Sequence, residues 1–502
     1  MIGLGDPLIW QRTTLQYAAA CVAVFLALAE PSSAQELPAG FTAAEIATAA
    51  TVADAVEQRQ WKQAAQRLAS GEDVNSAQPD GMTALHWAVF HQHDKTVRLL
   101  LDAGAEANVG NAYEVRPLSI ACTNGDADLA KRLLAAGADV KATLPGGETT
   151  LMTAARTGNA DLVRVLIEHG AELDATERNG QTALMWAAAE GNVAAVDQLI
   201  DAGADLHVQL KSGFTAMMFA AREGRIEVVR RLLKAGVDIN SVMKPARTSG
   251  RAPRNRMSAL MLAVESGHFQ LAMLLVDSGA DPNDQRSGFA PLHALTWVRK
   301  AARGDGVDGD PPPRGSGSLH SLQFVRQIVA AGADVNLQLK KESGGKAKLN
   351  KRGATPFLFA SKTADLPLLH LLLELGADPT LPNADGCTPL MAAAGIGVTA
   401  VGEEPGTEPE VLEAIKLMIS LGADPNVVDQ NGETAMHGAA YRCYPRAIEL
   451  LAEVGADPKV WNHKNKHGWT PHLIAAGHRP GSFKPSPETI AALDAAMTAG
   501  DN

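Results

Sequence analysis

A chain of 502 residues could hold several independent domains, and 46% of it is hydrophobic while only 4% is aromatic, so small and aliphatic residues supply the apolar surface. That balance suits thin, closely stacked helices. The formal net charge of −11 lacks the basic footprint that nucleic-acid binding requires, which sets DNA and RNA aside as principal partners.

The first 34 residues stand apart. Arg12 precedes an apolar run from Ala18 to Ala29, interrupted only by Cys21, and then come Glu30, Pro31 and the small residues Ser32, Ser33 and Ala34. Residues 1–34 read as a secretory signal peptide cleaved after Ala34. The run is too short to span a bilayer, the alternative being a start codon placed ahead of a tethering helix. No later stretch reads as transmembrane. The expectation is an exported protein, periplasmic or secreted, which leaves Cys122, Cys387 and Cys443 in the mature chain. An odd number leaves at least one thiol unpaired within the monomer. Each replaces a small or apolar residue of the neighbouring repeats, so packing explains them.

From there Gly-Ala-Asp or a close variant recurs. Gly71, Gly104, Gly137, Gly170, Gly203 and Gly236 are spaced by 33 residues, and the series continues at Gly279, Gly332, Gly376, Gly422 and Gly455. Such a period is a supersecondary unit in tandem, hence a solenoid of about twelve units. Within Gly180–Gly213, Thr182 caps a helix whose buried face is Leu184, Ala187 and Ala188. Gly191-Asn192 turns the chain into a second helix with Val193, Val196, Leu199 and Ile200, closed by Gly203. An extended stretch and the turn at Ser212-Gly213 then form a projecting hairpin finger. Residues 35–80 read as an N-terminal capping repeat, 81–468 as the array and 469–502 as the C-terminal cap.

These residues resemble the ankyrin repeat: Thr83–Ala88 reads TALHWA, Thr355–Ala360 TPFLFA, Thr388–Ala393 TPLMAA and Thr434–Ala439 TAMHGA. Pro356, Pro389 and Pro471 fall at the first helical position, where a missing N–H costs nothing. The resemblance implies an all-α solenoid of tandem helix-turn-helix units with projecting hairpins. It also implies that the motif histidine, present as His86, His293 and His437 and replaced by Met elsewhere, is a structural hydrogen-bonder between loops.

Four insertions break the period. Those at 241–255 and 339–352 lengthen fingers and are basic, with Lys244, Arg247, Arg251, Arg254, Lys340, Lys341, Lys346, Lys348, Lys351 and Arg352. Those at 298–318 and 396–409 fall between the two helices of a unit, and the latter carries Glu403, Glu404 and Glu408. Basic fingers on an acidic body would attract an anionic partner, the alternative being solvated loops. The loop Asp305–Asp310 departs from a calcium-binding pattern at Val307 and reads as a linker. Trp87, Trp186 and Phe219 lie about 200° around the helix from the buried stripe, which aims them at the concave groove that the resemblance implies. Phe90, His91, Arg156 and Arg222 precede the inter-helix turn and, by the same resemblance, face the partner. The histidines His463, His467, His472 and His478 cluster without a single helical face, which makes a poor zinc set. No catalytic motif stands out, and almost no sequence is left outside the repeats for a catalytic domain. The expected function is a non-enzymatic protein-binding scaffold without cofactor. The alternatives are an accessory subunit that docks on or shields a periplasmic enzyme, and a ligand- or metal-binding sensor.

Overall fold

The computed structural model describes residues 51–245, 255–300, 313–340, 349–399, 401–402, 404–479 and 484–499. Residues 1–34, and with them the signal-peptide reading, lie outside these, as does the Asp305–Asp310 loop. Among the described residues there are twenty-five helices and no named strand. They form twelve helix pairs, from Val52–Glu57 with Trp61–Ala69 to Pro471–Ala475 with Pro487–Ala499, plus the short helix Pro458–Trp461. The first helices stack on one another through the whole array, and second helices form an outer layer behind them.

Seven of the first helices start at a residue whose hydroxyl serves the amide three residues on: Thr149, Thr182, Thr215, Ser258, Thr355, Thr388 and Thr470. Leu184, Ala187 and Ala188 are fully buried, as are Val196 and Leu199 of the partner helix. The Ala side chains let adjacent first helices approach, and the larger aliphatics fill the layer between first and second helices. The closing glycines adopt the left-handed conformation, for example Gly203 at φ +89°.

Three sets of hydrogen bonds tie one unit to the next. The first is an asparagine ladder: Asn283 Nδ2 donates to Gly332 O (2.9 Å) and Oδ1 accepts from Asp334 N (2.8 Å). Asn75, Asn108, Asn240, Asn336 and Asn426 repeat this pair of bonds. The second set runs along the inter-helix turns, where Asn192 donates to Ala155 O (2.9 Å) and Arg156 O (2.8 Å). The third joins fingertips: Ala112 N to Asp80 O, Arg178 N to Gly146 O, Ala384 N to Arg352 O, Gln430 N to Asp385 O and Lys466 N to Asn431 O, all at 2.8–2.9 Å. The expected hairpins are therefore less than ladders. Isolated bridges such as Ala77 with Thr83 and Val242 with Ser258 close individual fingers, and much of the remaining bonding goes sideways to the next unit.

The motif histidines behave as the resemblance implies. His86 Nδ1 accepts from Thr83 N (3.1 Å), which leaves Nε2–H to donate to Val115 O in the next finger (3.0 Å). His437 does the same between Thr434 N and His463 O. His293 reaches Ala354 O (3.1 Å), but its helix is capped by Ala290 and its buried Nδ1 has no partner.

The insertion boundaries differ from the sequence reading at two places. The helix Pro291–Arg299 runs one residue past 298, and the helix Glu408–Ser420 begins inside 396–409. Thr407 caps that helix, and Glu410 closes a capping box, so the acidic residues extend the helix backward.

Candidate partner-binding surface

On the face opposite the second helices, each unit offers three positions: the residue before the cap, the fourth residue after it and the seventh after it. In the unit capped by Thr215 these are Phe214, Phe219 and Arg222. The Phe214 and Phe219 rings lie 5.2 Å apart, and the Arg222 guanidinium sits 5.2 Å from each. Glu223 accepts from Arg222 Nε at 2.8 Å and fixes the fork. One unit earlier the pattern is made between units, with the Arg156 guanidinium 5.7 Å from the Trp186 ring. Both side chains are half-buried. Arginine stacked on an aromatic face is cation–π attraction.

This geometry corrects part of the sequence reading. Trp87 and Phe219 are only 7% and 6% exposed, so they do not open into the groove. Trp87 Nε1 donates to Gln78 Oε1 (2.7 Å), and Gln78 Nε2 donates in turn to Asp54 and Glu57 of the first unit. The covering group comes from the finger, which folds over the helix face that points away from the core. Phe90 stands edge-on to Trp87, and His91 Nε2 donates to Glu57 O (3.0 Å) while Arg59 Nε donates to His91 Nδ1 (3.3 Å). With Trp61 stacked 4.1 Å from His93, this cluster joins the first two described units. Arg247, Arg251, Lys346 and Lys348 lie outside the described residues.

The sequence reading missed the continuation of the strip. Phe289 lies 4.6 Å from Trp297, 6.4 Å from Phe359 and 4.5 Å from Lys351 Nζ. The signal was available, because Phe289 stands immediately before the cap residue Ala290, as Phe214 does before Thr215.

Glu403 lies outside the described residues, and the other acids of the insertion at 396–409 are bonded to the protein. Glu404 is buried against Lys362 (2.7 Å) and accepts from Thr399 N at 2.7 Å. Burial pushes its carboxyl up, but Lys362 and the Thr399 donors outweigh that and hold it below the usual carboxylate range. Glu410 pairs with Lys300, and Glu408 accepts from Arg446 N. Arg442, only 3% exposed, donates to the carbonyls of Pro405, Gly406 and Lys362 and so bolts the insertion to three units. Beside it Arg299 forms a two-point pair with buried Asp365 (2.8 and 3.1 Å).

The C-terminal histidines are separately employed. His463 meets Val460 O, and His472 Nε2 meets Asp494 at 3.0 Å. Among the described residues no three His, Cys, Asp or Glu side chains converge as a metal set. Cys122 and Cys387 are buried and Cys443 half-buried, all as free thiols, and burial pushes the first two well above the usual thiol range. Among the described residues no helix is long and apolar enough to cross a membrane.

The family model described as ankyrin repeats (3 copies) matches in overlapping windows from 15 to 286 and again at 408–484, and the single ankyrin repeat model matches 385–430. The chain is an ankyrin-repeat protein. The stretch between these matches holds two of the insertions, yet its helix pairs Pro291–Arg299 with Ser321–Ala330 and Pro356–Lys362 with Leu366–Glu374 continue the ankyrin stack. Among curated relatives, the mouse B-cell lymphoma 3 protein homolog is 30% identical over 140 residues, 27% of this chain and 24% of its own length. Human protein phosphatase 1 regulatory subunit 27 is 39% identical over 70 residues, 14% of this chain and 46% of its own length. The putative ankyrin repeat protein YahD of Escherichia coli K12 is 36% identical over 73 residues, 14% of this chain and 36% of its own length. The chain spans less than half the length of each of these relatives.

Proposed function

We propose that this ankyrin-repeat chain is a non-enzymatic scaffold that binds another protein along the concave strip of its first helices. The observation that carries this reading is the pairing of Arg156 with the half-buried Trp186 ring, followed by half-buried Arg222, which is held in place over the buried Phe214 and Phe219 rings. Arg and Trp are the residue types that dominate binding energy at protein interfaces. Here they are held in place before any partner arrives by bonds such as Asn192 to Ala155 O and Arg156 O, which limits the ordering entropy lost on association. A second reading, an accessory subunit of one enzyme, is favoured by the regulatory-subunit name of the human relative. Export through residues 1–34 belongs to the same proposal and places the partner outside the cytoplasm.

The test is affinity capture from the exported fraction with the full chain and with the Arg156→Ala, Trp186→Ala double variant. A partner retained by the parent and lost from the double variant supports the scaffold. A single partner at fixed stoichiometry selects the accessory-subunit reading, and several partners select the general scaffold. Equal recovery with both proteins sinks the strip as the site. Mass determination of the purified protein shows whether residues 1–34 have been removed.

A further inference from the structure

Where the chain re-enters the array before the helix Ser321–Ala330, it is fastened to the inter-helix turns of two earlier units. Residues 313–317 are exposed and lie across the turn at Gly224 and the turn at Gly267 and His268. A side chain at Gly315 would run into Gly267 O, so backbone meets backbone there. A side chain at Gly224 would run into His268 Nδ1 and Ser316 Oγ. The Ser316 hydroxyl also lies 3.3 Å from Gly224 O.

One buried ring holds this contact. His268 is only 8% exposed, and its Nε2–H donates to Arg222 O (2.9 Å). Nδ1 is then an acceptor, and it takes the Ser316 amide at 2.8 Å, with the Ser316 hydroxyl 2.9 Å away. Equivalent turn positions make the donor half of this arrangement: Asn192 donates to Ala155 O and Arg156 O, and Arg225 Nε donates to Ala189 O. His268 adds an acceptor for a segment from a later unit, and that acceptor is a base. The charged groups around the ring are Glu223, which favours its protonation, and Arg225, which opposes it. Glu265 stands three residues before it in its own unit, Arg314 is exposed, and Arg326 of the helix Ser321–Ala330 is paired with Glu374.

We infer that residues 313–317 form a pH-sensitive strap, fastened to the turns of two earlier units while His268 is neutral and released when it is protonated. A proton on Nδ1 sets one N–H against the Ser316 N–H, and an amide cannot turn round to accept. The hydroxyl beside it can, but it cannot hold the amide where the two donors meet. Release uncovers the turns at Gly224 and Gly267, beside Arg222 of the concave strip. Burial holds the ring below the ordinary 6.5, so the strap is closed at neutral pH and opens as pH falls below that value. This goes beyond the scaffold reading and stands on its own geometry.

The experiment is hydrogen exchange of the full chain from pH 8 to pH 5, corrected for the intrinsic pH dependence of amide exchange. The peptide carrying the Ser316 amide is expected to lose protection by roughly tenfold over that range, while the helix Ala183–Glu190 keeps its own. His268→Asn, which supplies the residue type that Asn192 contributes to its turn, is expected to show one level of protection throughout. Gly315→Ala is expected to be open already at pH 8, because its Cβ blocks the backbone contact and leaves the ring in place. Constant protection in the parent, the same pH dependence in His268→Asn, or an equal loss in Ala183–Glu190 overturns the inference. Parent-like protection of Gly315→Ala at pH 8 overturns it as well.

Discussion

Single residues explain why the repeat tolerates some departures from its motif and not others. Gly158 ends a first helix at φ +79°, and a Cβ there would lie 2.7 Å from the Asn192 side-chain amide. Gly158→Ala should therefore cost about 1–2 kcal/mol of backbone strain, and more through the displaced Asn192 bonds, read as a lower urea midpoint. The opposite sign is expected at Ala290, where the missing cap leaves His293 Nδ1 buried without a partner. Ala290→Ser should raise the midpoint through roughly 0.5–1 kcal/mol of added stability if the serine hydroxyl donates to that nitrogen. An unchanged or lower midpoint would contradict this account of the site. At this scale the sequence announced the caps and buried faces but misdirected Trp87 and Phe219. Counting 200° around one helix is blind to Gln78 and Phe214, which arrive from the finger and cover the rings.

At the scale of elements, the array is held by bonds between units as much as by bonds within them. Asn283 makes two such bonds across 49 and 51 residues, so Asn283→Ala removes both and should cost about 1–3 kcal/mol. Native-state hydrogen exchange should show the loss first at the Asp334 amide and in the neighbouring helix Ser321–Ala330, since a solenoid opens locally. Uniform acceleration over the whole chain would contradict nearest-neighbour coupling. The twelve helix pairs and their closing glycines were legible because caps, turns and period all agree. The fingers were less so, because their strongest partners lie in the next unit and no local pattern announces a sideways bond. The acids of 396–409 were readable as charges only. The cation of Glu404, Lys362, comes from another unit, as does Lys300 for Glu410 just beyond, and Arg442 bolts the loop down through backbone carbonyls.

For the whole molecule, buried histidines set the acid limit. Burial lowers the pKa of His86, His91 and His268, and holds His293 and His437 down to about 4 against an ordinary 6.5. A histidine depressed in the folded chain contributes stability that is complete above the unfolded value and is lost as pH falls toward the folded one. His293 and His437 should each forfeit about 3 kcal/mol between pH 6.5 and 4. Asp429 and Glu433, raised by burial, act in the opposite sense and recover part of the loss as pH falls through their raised values. Thermal midpoints should thus fall from pH 7 to pH 5, and His437→Gln should flatten the slope. A midpoint independent of pH across that range would mean that the inter-finger histidines are not held neutral.

The central claim is that the concave strip of first helices, not the outer helices, meets the partner. The most direct measurement is the hydrogen-exchange footprint of the captured partner on the full chain. The account predicts protection in the first helices Thr150–Thr157, Ala183–Glu190 and Ala216–Arg222. Protection confined to the second helices Ala160–Glu168, Val193–Asp201 and Ile226–Lys234 would contradict it.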